Sequence, residues 1–431
     1  MSSSETTAGI SIAVDQNEFL AEGASVVDAV LTVATGPELA VVAAPPPRLE
    51  MLIIDCSGSM GNKNKFENAR TATRAALDEI PDGTAFAIIE GTDTARMIYP
   101  ADGSLSAPAG LDHRSAARRA LDTLRPDGGT AMGSWLALAR QVAAAHPGAQ
   151  AHAILLTDGK NEHETPQQLA TELDRAEGLF VCDCRGVGAD WAAADLHKIS
   201  SKLSGEADLV ADPNDLARDF AAMMRSSAAR VIPELTLRVW TPAGARVRMV
   251  KQVAPVLEDL TARRTDTGAQ VGEYPLSSWA AEEREYHLQI ELEPAAPGRE
   301  KLAARLSVLA GDEVLGQGLV RAVWTTDTTL STRISTRVAH YTGQVELAQA
   351  VQEGLAARRN GDLSTATAKL RRAVELAAVS GHESTAKLLR GVVEVDDRDG
   401  TVKLRGQVAA ADELALDIRS TKTARVRPEG G

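Results

Sequence analysis

The segment LEMLIIDCSGSM, residues 49–60, constrains this chain more than any other, because an unbroken apolar run stops at an aspartate and two serines. Met51, Leu52, Ile53 and Ile54 show no alternation and are bounded by turn residues, the pattern of a strand buried on both faces of a parallel sheet. Asp55, Ser57 and Ser59 follow at the carboxyl end of that strand. In open α/β sheets this is the edge where ligands bind. Gly58 and Gly61 let the loop turn tightly enough for the three side-chain oxygens to converge. Oxygen donors without His or Cys select hard cations, Mg²⁺, Mn²⁺ or Ca²⁺, over zinc.

Between Arg48 and Arg230 the apolar pattern alternates between strands and helices, the signature of a doubly wound, largely parallel α/β sheet. Strands are expected at Glu50–Asp55, Ala85–Glu90, Ala95–Tyr99, Ala151–Thr157, Leu179–Gly186 and Asp208–Ala211, with Ala95–Tyr99 as an antiparallel edge partner. Helices fit Lys65–Glu79, His113–Leu124, Ser134–Ala145, Pro166–Glu177, Asp190–Leu203 and Pro213–Ser227. From Ile232 to Thr326 the period changes to two, in runs such as LTLRVW and YHLQIELE, which indicates an antiparallel sandwich-like unit. That unit is short of strands. The β-rich pieces between Gly9 and Thr35 would complete it, which makes the α/β unit an insertion reached through Pro45, Pro46 and Pro47.

The expected domains are therefore 9–47 (first sandwich strands and linker), 48–230 (α/β), 231–327 (rest of the sandwich), 336–390 (a helical hairpin) and 391–431 (a β-hairpin and tail). The hairpin would turn at Asp399 and Gly400. The helix pair around Asn360, Gly361 and Asp362 resembles a single tetratricopeptide unit, which cannot bury its face alone.

At 431 residues the chain needs two or three domains, and 44% hydrophobic residues suffice to build their cores. A net charge of -13 argues against general binding to nucleic acid or anionic lipid, and 3% aromatic residues argue against base-stacking platforms. The basic tail Arg419, Lys422, Arg425, Arg427 is read as solvated. Three cysteines make no disulfide framework and fit a reducing compartment. With no secretory pattern at the start and no apolar run of spanning length, a cytoplasmic location without a membrane span is expected.

Two further segments belong with the opening loop. In DGGTAMGS, Thr130 follows two glycines just before a helix, and in AILLTDGKNEH, Asp158 ends a second fully apolar strand. Asp55, Ser57, Ser59, Thr130 and Asp158 would then share one sheet edge. The pattern Asp-x-Ser-x-Ser, then Thr, then Asp resembles the metal-ion-dependent adhesion site of the von Willebrand factor A family, with all five positions filled. The resemblance covers Arg48 to Arg230, in motif and in order of elements. It implies that Ser57, Ser59 and Thr130 bind Mg²⁺ directly while Asp55 and Asp158 act mostly through water. It also implies a protein partner that supplies an Asp or Glu carboxylate. The bacterial cytoplasmic members that it resembles accompany AAA+ chaperones or serine/threonine kinases and phosphatases, so an adaptor or regulator is expected.

Residues placed to select the partner are Asn62, Lys63, Asn64, Thr92, Asp93, Met132 and Lys160 to Glu164, with His163 either behind the site or at an exposed helix start. Cys182 and Cys184 share a strand face without further ligands, and Cys56 points away from the site, so all three read as core. Enzymatic activity is not expected. Ser57 stands where a phosphoryl-transfer aspartate would be wanted, and neither a G-x-S-x-G elbow nor a phosphate-binding loop occurs. The alternatives are a self-assembling scaffold subunit built on the sandwich and helices and, more remotely, a metal-dependent hydrolase.

Overall fold

The computed structural model describes residues 3–7, 9–36, 47–62, 64–188, 193–210, 212–230, 232, 234–380, 382–395, 401–423 and 425. Pro45, Pro46, Lys63, Asp190, Ala211, Asp399, Gly400 and Arg427, all named above, lie outside them. The chain divides into two compact units, one of residues 1–45, 230–408 and 419–431, the other of residues 46–229 and 409–418.

The second unit is built on a seven-stranded sheet. Its central strand, Arg48–Asp55, lies between Gln150–Thr157 and Ala85–Gly91, parallel to both. Val181–Val187 and Ala207–Val210 continue the parallel run on one side, and Ala95–Tyr99 closes the other side antiparallel, as its sequence position suggested. Five of the six expected helices are found within a few residues of their predicted bounds. The sixth begins in a 3-10 turn, Pro213–Asp215, before the helix Leu216–Ala229. Helices cover both faces, so the central strand is buried from Leu49 to Asp55, which is why its sequence does not alternate. Leu52, Ile54, Cys56 and Met60 pack with Phe66, Leu77 and Phe220 on one face. Met51 and Ile53 are buried on the other.

The first unit contains two six-stranded sheets that share one core, including Ile12, Leu31, Leu237, Trp279, Leu288, Leu306 and Trp324. The early strand Val26–Thr35 pairs antiparallel with Glu283–Glu291 along its whole length, from Val26 opposite Glu291 to Ala34 opposite Glu283. Segments on either side of the α/β unit in sequence thus complete one sheet. A one-turn helix, Thr328–Ser331, follows the sandwich, then three longer ones, Thr336–Arg359, Leu363–Val379 and Glu383–Val392, and then the strand pair Val393–Val395 with Val402–Leu404. The sequence reading had a hairpin where there are three helices, and a tail where there is a helix, Ala410–Arg419. Both additions are ten residues long, too short for a 3.6-residue period to stand out. Among the described residues no helix is long and apolar enough to cross a membrane.

Candidate functional site

Because Ile54 is registered against Leu156, the two central strands leave the sheet together, one at Asp55 and the other at Thr157. Asp55 is fully buried at that edge. Its Oδ1 accepts the Ser57 N–H at 2.7 Å and its Oδ2 accepts the Thr157 hydroxyl at 2.5 Å. Burial pushes its carboxyl up to about 6 and the negative Asp158 adds to the rise, against the hydrogen bonds that favour the ionised form.

The loop after Asp55 turns through a short 3-10 segment, Gly58–Gly61, whose tight geometry brings Ser57 Oγ and Ser59 Oγ to 3.0 Å. Ser59 Oγ donates to Asp158 Oδ1 at 2.6 Å, which joins the first loop to the second strand end. The third segment is fixed by backbone bonds: Gly58 N–H donates to the Gly128 carbonyl at 3.1 Å, and Asp127 N–H to that of Cys56 at 2.7 Å. Thr130 then enters just before the helix Met132–Ala144, only 4% exposed. The first N–H groups of that helix are capped from the loop after Asp158, by Asn161 Oδ1 on Met132 N–H and Glu164 Oε1 on Gly133 N–H.

The sharpest measure of convergence comes from Gly159. A methyl placed on its Cα would lie 3.0 Å from Thr130 Oγ1 and 3.6 Å from both Asp55 Oδ2 and Ser59 Oγ. Oxygens from the first loop and from the Thr130 segment thus surround one point on the third, which a residue without Cβ leaves open. An open cleft of about 440 Å³ lies over Ser57, Ser59, Thr130 and Asp158, with His163 on its rim. Three hydroxyls and two carboxylates, without nitrogen or sulfur, form a donor set that fits a hard divalent cation. All five residues singled out from the sequence meet here.

The surrounding residues divide. Asn62, Asn64, Asp93, Lys160, Glu162 and His163 are exposed, and Thr92 and Asn161 are half-buried. Met132, expected among the partner-selecting residues, is completely buried because it starts a helix that packs on the sheet. Cys56, Cys182 and Cys184 are buried free thiols.

Two residues of the site went unnoticed in the sequence. Thr157 orients Asp55, but its hydroxyl closes an apolar run and carries no spacing signal. Lys65, the first residue of the helix Lys65–Glu79, sends Nζ to Asp158 Oδ2 at 2.6 Å while remaining only 5% exposed. A signal for it did exist. A cation at a helix N-terminus faces the positive end of the helix dipole, so Lys65 needed a specific anion nearby.

A family model described as the von Willebrand factor type A domain matches residues 51–160, and one described as the von Willebrand factor type A C-terminal domain matches residues 375–420. No curated protein sequence matches the chain. Among solved structures, a von Willebrand factor type A protein from Catenulispora acidiphila is 45% identical, with 98% of this chain and 100% of that one covered at a TM-score of 0.92. The ArnB paralog VWA2 from Sulfolobus acidocaldarius shares the fold at 13% identity, with 96% and 98% covered and a TM-score of 0.59. The human COPII-coat protein Sec24c shares it at 10% identity and a TM-score of 0.53, over 89% of this chain and 58% of its own. Relatedness at 45% identity over essentially the whole length places this chain in the von Willebrand factor type A family.

Proposed function

We propose that the chain is a metal-dependent protein-interaction module that binds an acidic side chain of a partner protein through Mg²⁺, as a cytoplasmic adaptor or regulator rather than an enzyme. The observation that carries this reading is the convergence of Thr130 Oγ1, Asp55 Oδ2 and Ser59 Oγ around Gly159. Ser57, Ser59 and Thr130 would hold the cation directly, with Asp55 and Asp158 behind them. When bound, the ion supplies a Lewis-acidic position that takes a carboxylate oxygen. The chain's own contribution is positioning. Asp55 and Thr157 are locked to each other at the sheet edge, Ser59 is tied to Asp158, and the Thr130 backbone is paired with His163.

A non-enzymatic role is supported by the nearest imidazole: His163 Nδ1 accepts the Thr130 backbone N–H, so that nitrogen is not free to take a proton from Ser59. An AAA+ chaperone or a kinase or phosphatase system is the partner class that the family likeness favours.

The test is affinity capture from a lysate of the source organism with the full chain as bait, in Mg²⁺ and then in EDTA. A partner retained in Mg²⁺, released by EDTA and lost with Asp55→Ala or Thr130→Ala is the expected result. Capture indifferent to EDTA and to both substitutions would remove the reading.

A further inference from the structure

We propose that Lys65 is the built-in counter-charge of this site and makes cation binding conditional on an anionic ligand; the inference rests on the metal-site reading above. Lys65 Nζ lies 2.6 Å from Asp158 Oδ2, and the side chain is nearly inaccessible. Its position is constructed rather than incidental. Gly188, at φ +76°, passes so close that a methyl on it would lie 3.3 Å from Lys65 Cε, so the backbone beyond the strand Val181–Val187 shapes the lysine's channel. A buried ammonium persists only with a partner. Asp158 is therefore divided: Oδ2 serves Lys65, and Oδ1 takes the Ser59 hydroxyl at the floor of the cleft.

The consequence is one of charge. Asp55 and Asp158 bring two negative charges to the site, and Lys65 sets a positive charge directly against one of them. A dication held there is less fully neutralised than the two aspartates alone would leave it, which favours an external carboxylate. With a neutral side chain at position 65 the aspartates would neutralise the dication more fully, and the pull on an external anion would fall. Lys65 thus weakens the hold on the metal alone and strengthens the coupling between metal and anion, a reciprocal linkage.

The experiment is calorimetric titration of the full chain with MgCl₂ at pH 8, repeated in sodium acetate at equal ionic strength. Wild type, Lys65→Met, Lys65→Gln, Lys65→Arg and Ser59→Ala are compared, with circular dichroism as the check on folding. Lys65→Met and Lys65→Gln should bind Mg²⁺ about tenfold or more tightly in chloride, and acetate should help wild type and Lys65→Arg more than it helps them. Lys65→Gln keeps a donor for Asp158 and carries the test if the methionine variant does not fold. Unchanged or weaker Mg²⁺ binding in the neutral variants, while wild type binds and Ser59→Ala does not, overturns the role of Lys65 alone. Failure of every protein to bind Mg²⁺ overturns the metal-site reading, and this inference falls with it.

Discussion

The backbone N–H of Thr130 donates to Nδ1 of His163 at 3.0 Å, and the N–H of His163 donates back to the Thr130 carbonyl at 3.0 Å. The imidazole lies flat over Gly129, where a methyl would sit 2.4 Å from three ring atoms. His163 is thus a brace on Thr130 although it is exposed. Outer residues that orient ligands typically contribute about 10- to 100-fold to metal affinity. His163→Ala should weaken Mg²⁺ binding by roughly tenfold, with a change in thermal midpoint of only a few degrees, as an exposed side chain implies. Calorimetry beside a thermal melt separates the two effects.

Gly159→Ala is the sharper probe of the site. The added methyl would press on Thr130 Oγ1 at 3.0 Å, tighter than an ordinary contact, and enter the space between Thr130, Asp55 and Ser59. Its backbone needs no left-handed conformation, so the fold should survive with a loss of about 1–3 kcal/mol. The expected outcome is a folded protein that no longer shows a Mg²⁺-dependent shift in melting temperature. Retention of the full shift would mean that the cation is held elsewhere.

The parts of this fold that were legible in the sequence are those in which burial has a fixed geometry. A strand covered on both faces has no polar option, so Met51 to Ile54 identify themselves, and oxygen-bearing residues at the end of such a strand identify the site. The split sandwich was legible because strands lacking partners had to find them, and Val26–Thr35 finds Glu283–Glu291. Lys65 and His163 were less legible. What they do depends on contacts with Asp158 and Thr130, distant in sequence, and no local spacing encodes such contacts. Ala410–Arg419 was missed because its burial is tertiary: Leu416 and Ile418 are completely covered, yet ten residues do not establish a helical period.

At the other end of the sheet a charged cluster is sealed in the core. His152 Nδ1 is 2.8 Å from Glu50 Oε2, and Nε2 is 3.0 Å from Asp183 Oδ2. Arg48 reaches Glu50 at 2.9 Å and also donates to the Ala228 carbonyl at 3.0 Å, which ties the cluster to the helix Leu216–Ala229. Burial disfavours the charged imidazole, but attraction and hydrogen bonding from Glu50 and Asp183 prevail and raise it to about 9. The folded form holds this proton more tightly than the unfolded chain, whose histidine titrates near 6.5. The stabilisation is therefore complete below pH 6.5 and is lost as pH rises through 9. Urea denaturation should show wild type roughly 3 kcal/mol less stable at pH 9.5 than at pH 6. His152→Gln should be weak at both and nearly flat between them. A wild-type profile equally flat would remove His152 from the account.

The helix Ala410–Arg419 returns to the α/β unit from the far end of the chain, and residues 409–418 belong to that unit. Leu416 and Ile418 are fully buried, and Asp417 lies against His197 of the helix Ala193–Lys202. The α/β unit is therefore completed by the last helix among the described residues, although its own sheet ends at Val210. Leu416→Ala should cost about 2–5 kcal/mol, as for other buried leucines. Hydrogen exchange is the direct measurement: amides of Ala193–Lys202 should lose protection in Leu416→Ala while those of Glu300–Ala310, in the sandwich, keep it. Equal loss in both segments would mean that the helix stabilises the whole chain and not this unit in particular.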